Sequence, residues 1–301
     1  MKNPLQVVTI ASLLHDIGKV CFRASGERKT HSVLGSDFLF SFCQDTEEGK
    51  QVLQCVKYHH GKELRKADLH SDALAYVVYE ADNIAAGMDR RENDSQRPWE
   101  GFDATLSLAN VCNVLEGEGK DSYFPVKKLD AMIEPSYPLP DASHRGTPGA
   151  YGAIEDSLKA NFQRKAPQDM MPNELLRILE DILSYVPSST AKGEVCDISL
   201  YDHVKMTAAI ASSMWRYLQA HHISDYKDFC MTHNETHRQE GTMLFISADF
   251  SGIQKFIYRV PTKGAMRMLR GRSFYLQMVM ENAIDEILET LGLSRANLIY
   301  S

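Results

Sequence analysis

Residues 13–19 read LLHDIGK, and they set a His, an Asp, a Gly and a Lys at the end of an apolar helical run. Upstream, Val7, Ile10 and Leu14 recur at the spacing of one helix face. The pair His15–Asp16 says little by itself, because a lone histidine beside an apolar face is usually a core residue whose hydrogen bonds are satisfied. Its meaning depends on whether ligand-type residues recur elsewhere in the chain.

Ligand-type side chains do recur in the helical region that follows. They are His31 in THSVLG, His59 and His60 in YHHG, and Asp82 in YEADNIAAG. Asp82 lies four residues after Val78 and three before Ala85, so its carboxylate borders the apolar stripe of its helix. A carboxylate in that place needs a partner such as a cation or a metal ion.

Imidazole and carboxylate groups together are typical ligands of a divalent transition metal. A site of this kind that keeps one position open for water can produce a nucleophile near neutral pH. Each member also has a simpler explanation: His31 as a helix-start residue, and His59–His60 as an exposed helix end favoured by the helix dipole. Because all of these explanations would have to hold together, we favour a shared metal site.

A second stretch, SLYDHVKMTAAIASSMWRYL, lies far along the chain. His203 shares a helical face with Met206, Ile210 and Met214, which by itself is typical of a core histidine. Asp202 is equally well explained as a helix cap.

The composition is that of a globular chain that can bury a substantial core. It has 301 residues, of which 44% are hydrophobic and 24% charged, and this length favours about two domains. The net charge of −7 argues against a uniformly basic nucleic-acid coat, so a nucleic-acid partner would have to meet a local patch. The candidate patches are Arg23, Arg28 and Lys29, and Lys263, Arg267, Arg270 and Arg272.

The cysteines and the apolar runs indicate where in the cell the protein is located. Six cysteines are scattered without a CxxC pair or a secretory leader, which favours reduced thiols and a cytoplasmic location. No apolar run approaches the ~20 residues that a membrane span needs, so we expect no membrane partner.

Residue patterns divide the chain into segments. Helical spacing extends from residue 5 to about 90, with Gly61 and Gly87 as expected helix stops. The stretch that follows, up to residue 172, crowds Pro, Gly and polar side chains, which is typical of an insertion or a long connection. Helical spacing then resumes at residues 173–185 and 200–221.

A different kind of segment begins at Met243, where MLFISADF predicts a short strand. GIQKFIYRV and residues 265–291 then show helical spacing, and ANLIYS predicts the start of another strand. Because the pattern stops within a motif, we expect the chain to be the N-terminal part of a longer protein. The predicted units are a helical domain's first part (1–90), an insertion or linker (91–172), the completing helices (173–222) and a truncated second domain (240–301).

Taken in order, the ligand motifs resemble the metal-dependent HD phosphohydrolase superfamily, although the histidine that usually precedes the HD pair is absent upstream of His15. SLLHDIGK, THSVLG, YHHG, ADNIAAGMDRRE, SLYDHVKMTAAIA and ISADFSGIQKFIY together resemble the large signature subunit of type III CRISPR effector complexes, closest to the III-A (Csm) branch. In that family the HD domain is circularly permuted, and the YDH helix supplies the displaced histidine. The resemblance covers nearly the whole chain and is weakest between residues 100 and 172.

The resemblance implies an α+β fold, in which a permuted all-α HD domain precedes the start of a ferredoxin-like Palm domain related to cyclases and GGDEF proteins. It implies metal-site roles for His15, Asp16, His31, His59, His60, Asp82 and His203. It also implies catalytic roles for His15, Asp16 and Lys19, with Lys19 near the scissile phosphate. The site would hold one divalent ion, or two roughly 3.5–4 Å apart. Mn²⁺, Ni²⁺, Co²⁺ and Mg²⁺ are the candidates, and a His-rich ligand set favours the first three.

For the second domain, the resemblance implies a nucleotide-binding surface, to which we assign Asp249, Ser251 and Arg270. A turn and a solvated helix face would explain these residues equally well. The Gly-Gly-Asp-Asp hairpin of the family does not occur in the sequence. Synthesis of cyclic oligoadenylate from ATP is therefore implied for the full-length protein and is expected to fail in this chain.

The implied function is metal-dependent cleavage of single-stranded DNA in antiviral defence, by a subunit that is activated when guide RNA pairs with target RNA. The implied partners are other Csm subunits, the CRISPR guide RNA, the target RNA and the DNA substrate. Two alternatives stay open at this point. One is a phosphohydrolase of small nucleotides, and the other is a non-catalytic scaffold of the complex.

Overall fold

The computed structural model describes residues 3–89, 101–115, 121–129, 137–140, 145–192, 194–259 and 264–300. Its helices are α1 (Pro4–Leu14), α2 (Gly18–Ser25), α3 (His31–Cys43), α4 (Glu47–Lys57), α5 (Gly61–Leu64), α6 (Leu74–Asp89), α7 (Pro148–Arg164), α8 (Pro172–Leu183), α9 (Leu200–Ala220), α10 (Asn234–His237), α11 (Ile253–Tyr258) and α12 (Ala265–Leu291). Three short strands, β1 (Leu108–Ala109), β2 (Ser122–Phe124) and β3 (Leu139–Pro140), form one antiparallel sheet. The α+β prediction is confirmed.

Helix α1 is the central helix of the core. It starts where the side chain of Asn3 accepts a hydrogen bond from the amide of Leu5 (3.1 Å) and Pro4 occupies a first-turn position that needs no N–H. Helices α4, α6, α8 and α9 pack around it. Because partners surround it, α1 is apolar on all sides rather than along one stripe.

One sequence expectation on apolar runs needs correction. The segment Pro4–Ser25 is long and apolar enough to cross a membrane, with a mean hydropathy of 1.3 over its most apolar window. However, 83% of that window is buried inside the fold. A core helix near the N-terminus meets the same criteria of length and composition, and the protein's own helices cover this one.

Helices α6 and α9 form the second main pair of the core and pack closely along each other. On α6, Val78, Ala81 and Ala85 are fully buried, as their spacing predicts. Ser199 precedes the first residue of α9, and its hydroxyl accepts from the amide of Asp202 (3.0 Å). The cap is therefore Ser199, and Asp202 lies in the first turn.

The interpretation of residues 91–172 as an insertion overlooks a helix. In α7, Tyr151, Ile154, Leu158 and Phe162 are buried, and the helix packs against α2 and α8. The stretch TPG at its start, residues 147–149, is by itself typical of a loop. In the structure the Thr147 hydroxyl accepts from the amide of Ala150 (3.1 Å), so Thr-Pro is the cap and first turn of a helix.

The two glycines that were expected to end helices do not do so. Gly87 lies inside α6, and α4 already ends at Lys57. Gly61 is the first residue of α5, where a Cβ atom would lie 3.1 Å from the ring of Tyr79. Gly61 therefore permits a close contact with α6.

The last part of the chain forms its predicted helices but not its predicted strands. Helix α12 has the predicted bounds, and α11 lies within GIQKFIYRV. Residues 243–250 form neither helix nor strand and are largely exposed. The 3₁₀ turn Arg295–Asn297 includes the first two residues of ANLIYS. A strand requires hydrogen-bonded neighbours, and none pairs with these segments in the described part of the chain.

Candidate metal centre

The LLHDIGK motif occupies the turn between α1 and α2. His15 follows the last residue of α1, Asp16 lies in the turn, and Lys19 is in the first turn of α2. The turn lies close to the start of α3 because Gly18 has no side chain. A Cβ atom at Gly18 would lie 1.8 Å from the carbonyl oxygen of His31 and 2.5 Å from the amide nitrogen of Gly35. Gly18 thus lets two ligand-bearing segments meet.

The other predicted ligands come from four more elements. His31 is the first residue of α3, and His59 and His60 lie in the connection between α4 and α5. Asp82 is in the middle of α6, and His203 lies in the first turn of α9. All seven predicted metal ligands thus converge on one place in the fold.

The first cluster consists of His15, Asp16, Asp82 and His203, whose ligand atoms all lie within 4.8 Å of one another. The Nε2 atoms of His15 and His203 lie 3.4 and 3.2 Å from Oδ1 of Asp82. The same two atoms lie 3.5 and 3.3 Å from Oδ2 of Asp16. Two imidazole nitrogens and two carboxylate oxygens therefore point into one space.

The second cluster consists of His31, His59 and His60. Nε2 of His31 lies 2.8 Å from Nε2 of His60 and 3.4 Å from Nε2 of His59. The other oxygen of Asp16, Oδ1, lies 3.2 Å from Nε2 of His31 and 3.6 Å from Nε2 of His59. Asp16 therefore directs one carboxylate oxygen to each cluster.

Backbone carbonyls orient two of the histidines. Nδ1 of His15 is 2.7 Å from the carbonyl oxygen of Ser12, and Nδ1 of His59 is 2.7 Å from that of Val56. A carbonyl only accepts, so Nδ1 of both rings carries the proton and Nε2 faces the centre with a lone pair when the ring is neutral. This is the usual second contact of a metal-bound histidine.

Nε2 of His15 is buried and has no hydrogen-bond partner among the residues that the structure describes. A buried polar atom without a partner calls for an explanation. A metal ion between the ligand atoms would provide it, and imidazole and carboxylate are suitable donors for a divalent transition metal. The donor set thus fits such an ion.

Electrostatics favour ionised carboxylates. Burial alone would raise the pKa of Asp16, but the Lys19 ammonium (2.6 Å from Oδ2) and His15 hold it well below its usual range. Burial would likewise raise the pKa of Asp82, and the nearby imidazoles of His15 and His203 hold it well below its usual range. Two full negative charges therefore face the centre.

The histidines divide by environment. Burial lowers the pKa of His59 well below its usual value. Burial is also the main cause that lowers the pKa of His60, and the charge of His31 adds to it. Both rings therefore stay neutral. For His15, burial also favours the neutral ring, but the Asp16 and Asp82 carboxylates outweigh it and raise the pKa to about 9. A positive charge is thus favoured between these two carboxylates.

Exposure marks one side of the centre as open. The side chains of His15, His59 and His203 are 0–4% exposed, whereas those of Lys19 and His31 are 22% and 27% exposed. Asp82 is intermediate at 14%. The centre is therefore open to solvent on the side of Lys19 and His31.

The structure does not bring the predicted nucleotide-binding residues to the centre. Asp249, Ser251 and Arg270 are all exposed. In the described part of the chain, no hydrogen bond or ion pair joins them to one another or to the two clusters. Their role stays a prediction.

The first predicted basic patch needs correction. Arg23 is buried, and its guanidinium donates to the carbonyl oxygens of Pro187 (2.6 Å) and Ser188 (3.3 Å) while lying 5.6 Å from the ring centre of Tyr151. It holds α2 to the segment before α9 and is not available to a nucleic acid. Arg28 is exposed, and Lys29 pairs with an aspartate of α3. Of the second patch, Lys263 lies outside the described residues.

Sequence reasoning did not single out Gly18 and Gly35. The available signal was a glycine soon after a ligand histidine: Gly18 follows His15 by three residues, and Gly35 follows His31 by four. Their role depends on the approach of α2 to α3, which no local pattern encodes.

Two family models match this chain. Residues 2–87 match the HD domain, and residues 242–301 match a family described as Csm1 subunit domain B.

Similar proteins share one name, CRISPR system single-strand-specific deoxyribonuclease Cas10/Csm1 (subtype III-A). That of Enterococcus italicus is 38% identical over 303 residues, which cover 96% of this chain and 40% of the relative. That of Mycobacterium tuberculosis is 38% identical over 325 residues, which cover 100% of this chain and 40% of the relative. The chain thus spans about two fifths of the length of these relatives.

Solved structures agree with the sequence relatives. Csm1 of T. onnurineus superposes with a TM-score of 0.68 at 29% identity, covering 99% of this chain and 38% of that one. A Csm1–Csm4 cassette in complex with cA3 gives a TM-score of 0.69 at 29% identity, covering 100% of this chain and 38% of that one. A further Csm1–Csm4 cassette was solved with one ATP.

Proposed function

The chain belongs to the Cas10/Csm1 family of type III-A CRISPR proteins, and from this premise we propose that its His/Asp centre cleaves single-stranded DNA with divalent metal ions. The relatives are named for that activity. The observation that carries the proposal is Asp16, whose two oxygens face two separate ligand clusters. Two ions that share a carboxylate are a common arrangement in enzymes that cleave phosphodiesters.

The residues of the chain would divide the work. The first cluster would hold one ion and the second cluster the other, with Asp16 between them. Ions held there would supply Lewis acidity to the scissile phosphate and to an attacking water. The carbonyls of Ser12 and Val56 keep the rings of His15 and His59 turned toward the centre. Lys19 holds Asp16 ionised and lies on the open side, where its ammonium attracts a phosphate.

The ligand set supports some metals over others. Five of the seven ligands are histidines, and imidazole binds Mn²⁺, Co²⁺ and Ni²⁺ more readily than it binds Mg²⁺. We therefore propose one of the first three as the active ion. One ion in each cluster is the stoichiometry that the geometry favours.

The net charge supports a guided mode of action. With a formal charge of −7, the chain is unsuited to strong binding of duplex DNA through its overall field. We propose that pairing of a guide RNA with target RNA selects the target and activates the centre in the cytoplasm. Csm4 and other Csm subunits are the proposed protein partners, since the solved relatives include Csm1–Csm4 cassettes.

Nucleotide chemistry is proposed for the longer protein rather than for this chain. Relatives solved with cA3, cA4 and ATP suggest that a complete subunit makes cyclic oligoadenylate from ATP. Asp249, Ser251 and Arg270 are the proposed contacts of this chain to a nucleotide. Mutating each to Ala in a complete subunit, followed by ATP binding, would check the assignment.

The experiment that tests the nuclease proposal is cleavage of a labelled single-stranded DNA by the purified chain with Mn²⁺, beside a duplex control. We expect cutting of the single strand only, and its loss in a His15→Ala, Asp16→Ala double variant. The matched control is His70→Ala, Asp72→Ala, which removes the same residue types from an exposed pair with a 2.6 Å contact outside the centre.

Equal cutting by the wild-type chain and the His15→Ala, Asp16→Ala variant would contradict the proposal. Hydrolysis of a free nucleotide without any cut in the oligonucleotide would instead indicate a small-substrate phosphohydrolase. If the double variant loses only its assembly with Csm4, the centre is a scaffold.

A further inference from the structure

Glu80 is a buried carboxylate that the metal centre does not use. Its side chain is 3% exposed, and Arg238 binds it through Nε to Oε1 (2.5 Å) and Nη2 to Oε2 (2.9 Å). Asn234 adds a third hydrogen bond from Nδ2 to Oε2 (3.1 Å). A buried carboxylate requires such partners, and a two-point guanidinium contact fixes direction as well as charge. We call these three residues the Glu80 clamp.

The clamp holds the helix that carries a proposed metal ligand. Glu80 and Asp82 are two residues apart on α6, so their side chains leave the helix about 200° apart and about 3 Å along its axis. On one face of this turn Arg238 binds Glu80, and on the opposite face Asp82 lies next to His15 and His203. A rotation of α6 at this turn would displace the Asp82 carboxylate from both rings.

The partners of Glu80 come from the segment that leads out of the helical region. Asn234 begins α10 and Arg238 follows its last residue, just before residues 242–301 that match Csm1 subunit domain B. Beside the clamp lies a cavity of about 410 Å³, lined in part by Ile84, Met214 and Met243. The clamp therefore links this segment directly to α6 through three hydrogen bonds.

We propose that Glu80, Asn234 and Arg238 are positioning residues that set the orientation of Asp82 and thereby the affinity of the first cluster for a divalent ion. The inference rests on the proposed metal centre. Through Asn234 and Arg238, the segment that precedes residues 242–301 also contacts α6, the helix that carries Asp82. A shift of that segment would change metal affinity without any contact with the ligands themselves.

The test measures metal binding rather than cleavage. Mn²⁺ is titrated into the 301-residue chain and its variants, and free Mn²⁺ is read from its electron paramagnetic resonance signal. We expect Arg238→Ala to weaken Mn²⁺ binding about tenfold, in the range seen when groups that support a metal ligand are removed. Arg238→Lys keeps a positive charge near Glu80 and is the variant to use if Arg238→Ala does not fold. We expect it to weaken Mn²⁺ binding about threefold, because the two-point guanidinium contact is lost.

The matched control is Arg295→Ala. Arg295 also binds carboxylates, with its Nη2 2.8 Å from Glu281 and 2.6 Å from Asp285, but these lie on α12 and not on α6. It should leave Mn²⁺ binding unchanged. Equal weakening in Arg295→Ala and Arg238→Ala, or wild-type binding in a folded Arg238→Lys, would overturn the proposal. Cleavage of single-stranded DNA is scored separately, so a chain that binds Mn²⁺ and responds to Arg238 but does not cut would refute only the nuclease proposal.

Discussion

At the scale of single residues, Asp16 is the most consequential side chain in the chain. It is almost fully buried, its two oxygens face different histidine clusters, and Lys19 compensates its charge. The other ligands belong to one cluster each. Substitutions of Asp16 and of a ligand in one cluster should therefore have different effects on metal stoichiometry.

We expect His60→Ala to reduce bound Mn²⁺ from about two ions per chain to about one, because only the second cluster loses a ligand. Asp16→Asn removes the shared charge and should weaken both sites. Equilibrium dialysis with elemental analysis measures the number of Mn²⁺ ions bound per chain. His70→Ala is the control for loss of an exposed histidine. If His60→Ala still binds as many ions as the wild-type chain, the second cluster is not a metal site.

At the scale of elements, the centre depends on how closely α2 approaches α3. Gly18 and Gly35 lie at this contact, and a Cβ atom at Gly18 would overlap the backbone of His31. Backbone atoms cannot rotate away as a flexible side chain can, so the two helices would have to separate. Both segments carry ligands of the centre, and stability and metal binding are therefore linked here.

Gly18→Ala is expected to lower the free energy of unfolding by about 1–3 kcal/mol, because overpacking forces the backbone to move. It should also weaken Mn²⁺ binding. Gly87→Ala is the matched control, since Gly87 lies within α6 and nothing would lie within 4 Å of its new Cβ atom. That variant should be unchanged or more stable by up to about 1 kcal/mol, because alanine is the better helix former. Urea unfolding measures both, and a Gly18→Ala chain as stable as Gly87→Ala would contradict the contact.

At the scale of the whole molecule, helices from distant parts of the sequence surround α1. Helices α4, α6, α8 and α9 contact it, and Arg23 ties α2 to the segment that precedes α9. Buried thiols are distributed through this core and report on its integrity. Cys21, Cys43, Cys55, Cys196 and Cys230 are buried, whereas Cys112 is exposed.

Thiol reactivity should follow this division. Burial raises the pKa of Cys21, Cys43 and Cys55 to about 12 and that of Cys196 to about 11. At pH 8 we therefore expect Ellman's reagent to modify one thiol quickly, and Cys112→Ser to abolish this fast phase. All six thiols should react once the chain is unfolded in urea. Several fast thiols in the native Cys112→Ser chain would contradict the buried core.

The same thiols predict a direction for stability at high pH. Their pKa values in the folded chain lie above the ordinary value of 9, so the folded state holds these protons more tightly than the unfolded state does. Their contribution to stability is complete below about pH 9 and is lost as the pH rises toward 12.

Sequence patterns predicted those features that depend on neighbours along the chain. Helical spacing predicted α8, α9 and the bounds of α12, and ligand-type residues marked the motifs of the metal centre. Sequence patterns failed where the same residues are common in two kinds of local structure. Thr147 and Pro148 begin helix α7 rather than a loop, and Gly87 lies inside helix α6 rather than at its end. The strand predicted at residues 243–250 did not form, because β structure requires a hydrogen-bonded neighbour as well as a β-capable sequence.

The sequence by itself determined the ligand types, their order and the helix faces, because residue identity and helical period are local properties. Only the tertiary structure decided that Asp16 faces both clusters, that His203 lies 3.2 Å from Asp82, and that Arg23 is buried. It alone joined Glu80 to Arg238 across 158 residues of sequence. These pairings depend on which helices pack together and at what distance, and packing is set by the whole core at once.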